Sequence, residues 1–367
     1  MKGLHEVHQY LELIREILHR GTLEKGRNGN TLSVFGKSMR FSLANGQIPI
    51  LTTKQVAWKT CAKELFWFLS GSTDNEVLQK QGVGIWNGNA SREYLDSRGL
   101  TEYEENELGP IYGYQWRHFG LPYRKRCEKE DNTQTIDTPK CNIPETSSSS
   151  GLSKFFRFVT SGLFCNTYDT LEQIETMNRD EKGTTEKGTT EKDTSNTKQQ
   201  SKEIDQIQQI IDMLRDPEQR SSRRIILTAW NPSQLDEMAL PPCHILAQFN
   251  VRDGKYLSCA MYQRSGDVGL GVPFNIASYS LLTHILAKHT GLIAEEFVYF
   301  LGNAHIYEEH VEALKIQVER EPYLFPKITI TDIKEDVAQT IENYTLENIT
   351  FQTPYIFHPS IKMDMKV

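Results

Sequence analysis

The spacing of apolar and polar positions changes several times along the chain. Tyr10, Leu11, Ile14, Ile17 and Leu18 recur at helical spacing and Gly21 follows as a stop, which predicts an amphipathic helix. "TLSVFGKSMRFSL" (31–43) alternates on both sides of Gly36, predicting strand, turn, strand. "QVAWKTCAKELFWFLS" (55–70) has a broad apolar face closed by Gly71, the pattern of a second helix. Later come a helical "DQIQQIIDML" and a strand-like "RRIILTAW". "HILAQFNV" and "YLSCAMYQR" flank Asp253-Gly254, a dipeptide suited to a two-residue hairpin loop. "VPFNIASYSLLTHILAKHTG" predicts a helix with proline in its first turn and Gly291 at its end. The strand "EFVYFLGNAHIY", the helix "EEHVEALKIQVER" and a strand-rich tail complete the chain. Helices and strands mix without regular alternation. The expected class is α+β, a mixed or antiparallel twisted sheet flanked by helices.

The pattern fails between residues 121 and 203. "ETSSSSG" and the imperfect repeat "EKGTTEKGTTEKDT" offer too little apolar surface to offset the entropy of ordering. A connection of that length exceeds ordinary loops. A single domain over 1–367 is therefore expected, interrupted by a disordered low-complexity insertion at 121–203. Its one apolar island, "SKFFRFVTSGLF", is suited to a short helix or to docking.

Composition narrows the class further. Hydrophobic residues make up 38% of the 367, and the formal net charge is −7, which gives nucleic acid no support as the main partner. Six cysteines, at 61, 127, 141, 165, 243 and 259, form neither a CxxC pair nor a zinc-ligand spacing. They read as reduced thiols of a cytoplasmic protein with no metal, Cys61 and Cys259 as packing residues. The N-terminus lacks the apolar core of a signal peptide, and no apolar run is long enough to cross a membrane.

The candidate chemistry centres on "LPPCHILAQF" (240–249), where Cys243 follows two prolines and precedes His244. With Asp253 and Gly254 as the loop, strand pairing sets Cys243 opposite Arg264. A guanidinium there lowers a thiol pKa from its usual value of about 8.5 and raises the thiolate fraction. In "YQRSGDVGLGVPFNIASY", Arg264 and Ser265 suit a phosphate, while Asp267 and Asn275 suit directed hydrogen bonds to a heterocycle. The glycine order is not that of a dinucleotide fingerprint. Arg223 and Arg224 offer a second anion clamp.

These motifs, with "GPIYGYQWRHFG", "RRIILTAWNP", "LGNAHIYEEH", "LTTKQVAWKTCAKELFWFLSGST" and the terminal "HPSIKMDMKV", resemble in order the folate-dependent thymidylate synthases. The resemblance runs from about residue 5 to the end, apart from the insertion. It implies reductive methylation of dUMP to dTMP, with 5,10-methylenetetrahydrofolate giving both the one-carbon unit and the hydride. It implies Cys243 as the nucleophile at uracil C6, Glu64 as organiser of proton transfers, and Tyr112 near the C5 proton. Arg264, Ser265, Arg27 and, from a second subunit of a homodimer, Arg223 and Arg224 are implied at the phosphate. Asn275 is implied at the pyrimidine edge, His305 and Tyr307 at the deoxyribose hydroxyl, and His244 in a network around the base. Asp267 is implied at the pterin, with Trp86, Leu270, Gly271 and Phe274 around the folate and the Val367 carboxylate closing the site.

Departures from the family pattern are visible. The loop "RNGNTLS" is one residue short, Asn303 stands where aspartate is usual, Ala260 replaces a glutamine, Lys366 replaces a small residue and "YRK" replaces "YRD". The nearest rival on the same scaffold, a deoxycytidylate hydroxymethylase, has aspartate in place of Asn275. A regulatory RNA-binding dimer is the rival from another class. The short segment ahead of the first helix leads us to expect no fused dihydrofolate reductase.

Overall fold

The computed structural model describes residues 5–26, 28–126 and 202–366. Arg27, Val367 and residues 127–201 of the insertion predicted at 121–203 lie outside the described residues. A six-stranded mixed sheet runs β1 (Thr22–Gly26), β2 (Gly29–Ser42), β6 (Ile293–Tyr307), β5 (Tyr256–Asp267), β4 (His244–Arg252), β3 (Ile226–Thr228). β5 and β6 are parallel and the remaining pairs antiparallel.

The parallel pair requires a crossover, supplied by the helix of residues Gly271–Thr290. Ile276, Leu281, Leu282, Ile285 and Leu286 in it are all buried, as expected of a helix enclosed on most sides. It covers the sheet face carrying Cys259 and Phe297, where Tyr279 stacks on Phe297 at 6.1 Å. In chain order the helices are α1 (Val7–Arg20), α2 (Trp58–Leu69), α3 (Asn75–Gln79), α4 (Arg92–Ser97), α5 (Tyr112–His118), α6 (Gln206–Arg215), α7 (Gly271–Thr290) and α8 (Val311–Val318). A small antiparallel pair, β7 (Ile328–Ile330) and β8 (Ile349–Phe351), completes the regular elements.

The α+β expectation holds, with differences of detail. Gly36 does not turn the chain. It takes φ 73° within one continuous strand, and pairing to β6 persists on both sides through Phe35↔Asn303 and Lys37↔Leu301. A glycine accepts that dihedral at little cost, so the kink leaves the register intact. α2 starts at Trp58, three residues later than its apolar pattern. Residues 121–126, predicted as insertion, belong to the body: the Tyr123 hydroxyl donates to Glu107 at 3.0 Å, and Arg126 pairs with Asp74 at 2.8 Å.

The sheet face away from α7 keeps an apolar row. Leu246 pairs with Tyr262 and Tyr262 with Phe300, leaving Leu246 and Phe300 37% and 43% exposed. Arg117 ties α5 to its neighbours, donating to Asp205 at 3.0 Å and to the Leu69 carbonyl at the end of α2 at 3.0 Å. Replacing it by Met strands both acceptors in a half-buried site. We expect Arg117→Met to lower unfolding free energy by about 2 kcal/mol, measured as a drop in the thermal midpoint.

Candidate active site

The reactive-thiol candidate is placed by strand register. From Arg252↔Tyr256 to Leu246↔Tyr262 the hairpin pairs with a three-residue loop, Asp253 to Lys255, not the two-residue loop that the sequence predicts. Continued to the strand end, that register would set Cys243 against Ser265. A bulge between His244 and Leu246 takes back one residue, so His244 pairs with Gln263. The Arg264 N–H then donates to the Cys243 carbonyl at 2.9 Å. Two departures from ideal pairing cancel, and the expected facing survives.

The prolines complete the placement. Arg264 Nε donates to the Pro242 carbonyl at 2.8 Å, and its Nη2 to the Pro241 carbonyl at 2.9 Å. This leaves Nη2 3.8 Å from Cys243 Sγ. The prolines stiffen the approach and their carbonyls hold the guanidinium at the thiol. Cys243 is only partly exposed. Burial raises its pKa above the ordinary thiol value, outweighing the lowering by Arg264 and Tyr112. This corrects the sequence expectation of a net lowered thiol: desolvation wins over one nearby charge.

The wall behind the thiol is aromatic. The Cys243 N–H donates to the Tyr112 hydroxyl at 2.7 Å, and Tyr112 stacks on His244 at 4.1 Å. His244 Nδ1 meets the Tyr279 hydroxyl at 2.7 Å, and burial lowers its pKa to about 3. It is neutral at physiological pH and poorly suited to serve as a base. Glu64, on α2, accepts from Trp86 Nε1–H at 2.8 Å. Burial raises its pKa to about 7 despite that bond, where a carboxyl both gives and takes protons near neutrality.

A cavity of about 370 Å³ is lined by Gly26, Asn28, Thr31, Arg264, Ser265 and the trio Asn303, His305 and Tyr307, with Gly29. His305 Nδ1 lies 3.0 Å from Asn303 Oδ1 and its ring 5.4 Å from that of Tyr307. Burial lowers the His305 pKa. On the other flank, Asn275 Oδ1 and Asp267 Cβ lie 3.8 and 3.9 Å from where a side chain on Gly271 would begin. Asp267, Gly271 and Asn275 therefore meet at the start of α7, with Leu270 and Phe274 partly buried beside them. Trp86 is buried 6.1 Å from Tyr112. Arg223 and Arg224 are exposed just before β3 and do not line this cavity of their own chain. Arg27 and Val367 lie outside the described residues.

The sequence reading missed a supporting layer. Tyr299 donates to Gln263 Oε1 at 2.6 Å, and Gln263 Nε2 donates to the Ser265 carbonyl at 2.8 Å. A glutamine at an inward strand position was the available signal.

A profile of the thymidylate synthase family matches residues 8–367. This chain belongs to the thymidylate synthase family. Over 362 residues it is 42% identical to "Thymidylate synthase 1/2" of Encephalitozoon cuniculi (strain GB-M1), covering 98% of this chain and 97% of that protein. It is 40% identical over 366 residues to "Thymidylate synthase" of Equine herpesvirus 2 (strain 86/87), covering 99% of each. It is 41% identical over 365 residues to "Bifunctional dihydrofolate reductase-thymidylate synthase" of Leishmania major, covering 99% of this chain. The chain spans 56% of the length of that bifunctional relative.

Within this candidate site, Asn303 gains meaning from its second contact. Its amide nitrogen donates to Glu24 Oε2 at 3.3 Å, linking β1 to the cavity wall. Asn303→Asp sets a carboxylate facing Glu24 and beside His305. We expect the His305 pKa to rise, since a nearby negative charge favours the imidazolium, and Glu24→Gln to reverse part of the change. Side-chain histidine NMR titration measures both. Glu64 yields a second prediction. With a folded pKa of about 7 above the unfolded value of about 4.3, the folded state retains the proton longer. Stability therefore falls as pH rises from about 4 to 7, by roughly 3 kcal/mol at most. Glu64→Gln lacks this titration, so its thermal midpoint should gain on that of the parent as pH rises to 8.

Proposed function

We propose that this chain catalyses the reductive methylation of dUMP to dTMP, with 5,10-methylenetetrahydrofolate as one-carbon and hydride donor and dihydrofolate as the second product. The observation that carries this reading is the approach of Arg264 Nη2 to Cys243 Sγ at 3.8 Å, beside a polar cavity lined by Ser265, His305 and Tyr307. The Cys243 sulfur adds to C6 of the uracil as its proton leaves, and the electron pair gathers at C5. C5 bonds to the folate methylene as one of that carbon's two C–N bonds breaks and its electron pair stays on the nitrogen. Loss of the C5 proton and release of the folate amine precede hydride transfer to the one-carbon unit, and the cysteine is expelled. Arg264 and Ser265 bind the phosphate, Asn275 the pyrimidine edge, and His305 and Tyr307 the deoxyribose hydroxyl. Asp267, Leu270, Gly271, Phe274 and Trp86 receive the folate. Glu64 moves protons through ordered water beside Tyr112. A neutral His244 supports the wall behind the base.

The working unit is a homodimer. The row Leu246–Tyr262–Phe300, with Leu246 and Phe300 exposed and Tyr262 partly so, favours sheet-to-sheet burial against a second copy. Arg223 and Arg224 then complete the partner's phosphate site, together with Arg27. Their added positive potential counters the burial that keeps the Cys243 thiol protonated. The free thiols of Cys61, Cys243 and Cys259 suit a reducing compartment, and we assign the protein to the cytoplasm. No helix among the described residues is long and apolar enough to cross a membrane.

The test follows dihydrofolate formation by absorbance with dUMP and methylenetetrahydrofolate. Turnover with dUMP and not dCMP, and a loss of at least about 1,000-fold in Cys243→Ala, is expected. Turnover with dCMP instead would move the assignment to a hydroxymethylase.

A further inference from the structure

His310 stands at the start of α8, 1% exposed, outside the residues given a role so far. Its Nε2 lies 2.9 Å from the Asp364 carbonyl. A carbonyl only accepts, so Nε2 carries the proton. Nδ1, by contrast, has no hydrogen-bond partner among the described residues and lies 3.9 Å from Asp267 Oδ1. In the neutral ring both are acceptors, and a single donor atom between them would satisfy both. Buried polar atoms are rarely left unpaired, so this gap marks a ligand or water position.

The Asp267 turn is otherwise held on every side. Gly269 N–H donates to Asp267 Oδ1 at 2.8 Å, the Tyr10 hydroxyl donates to the Val268 carbonyl at 2.8 Å, and Lys54 Nζ donates to the Gly269 carbonyl. A Cβ on Gly269 would lie 3.0 Å from His310 Nδ1 and 3.1 Å from Met363 Sδ. The missing side chain lets the histidine and the C-terminal segment close on the turn together. Lys366 also pairs with Glu309, the neighbour of His310.

We propose that His310 is a positioning residue that clasps the C-terminal segment 363–366 to the Asp267 turn, and that its Nδ1 shares with Asp267 one hydrogen-bond donor belonging to, or ordered by, the bound folate. The clasp rests on the folate reading of Asp267 and assigns His310 a part in it. One imidazole thereby reads both the closed segment and the occupied turn.

The test uses the full chain with His310→Ala and His310→Gln, whose amide nitrogen can replace the Nε2 donor. Release of C-terminal residues by carboxypeptidase, without ligands, reads the clasp directly. It should be faster in His310→Ala and return toward the parent rate in His310→Gln. With dUMP present, the dissociation constant of a non-reactive folate analogue should rise about tenfold in His310→Ala. The binary affinity for dUMP should stay within twofold, and circular dichroism should remain native. Unchanged carboxypeptidase release, or loss of dUMP and folate affinity by the same factor, would overturn the proposal. The ligand-free arm is independent of substrate identity, so a parent that binds no folate would sink the functional reading while the clasp is still measured.

Discussion

A single inter-strand hydrogen bond, Arg264 N–H to the Cys243 carbonyl at 2.9 Å, sets the geometry on which the site depends. It fixes which residue of β5 faces the cysteine and brings the guanidinium within 3.8 Å of the sulfur. A one-residue slip turns every following side chain to the other face of a strand. The bulge between His244 and Leu246 is therefore as much a part of the site as the thiol. It also turns His244 toward Tyr279 and the buried wall while Cys243 keeps its contact with Arg264.

Burial and charge oppose each other around that bond. Desolvation raises the pKa values of both Cys243 and Glu64, in keeping with low-dielectric surroundings that disfavour the charged form. The consequences differ. For a carboxyl the shift creates a proton carrier near neutrality. For a thiol it favours the protonated, less reactive form. In the proposed homodimer a second copy's arginines would resolve that tension, because the positive charge would be in place only when the assembly is formed.

Much of the fold was legible because burial imposes periodicity. α1 and the alternation of β4 and β5 follow from apolar spacing, while α7, buried along nearly its whole length, is marked by Pro273 in its first turn and Gly291 at its end. Gly36 misled because a glycine is equally compatible with a turn and with a kink in a continuous strand, and only pairing to β6 decides between them. The hairpin loop misled for a related reason. Asp253-Gly254 favours a two-residue turn, but the strand register that wins also depends on how β5 pairs with β6. The expected facing of Cys243 and Arg264 was right although its premise was not, since the longer loop and the bulge offset one another.

The sequence alone determined the chemical inventory: a cysteine after two prolines, arginine and serine suited to an anion, and asparagine and aspartate suited to a heterocycle. Local side-chain chemistry and order along the chain carry that information. Tertiary structure decided the environment. It put Gln263 beneath Ser265, Asn303 between His305 and Glu24, and His310 between Asp267 and Asp364. The contacts of Asn303 with Glu24 and of His310 with Asp267 and Asp364 join residues from separate strands, a helix start and the C-terminal segment, and desolvation depends on all the atoms packed around a group. Spacing along a chain records neither, so the direction of the Cys243 shift became visible only once the strands and helices were assembled around it.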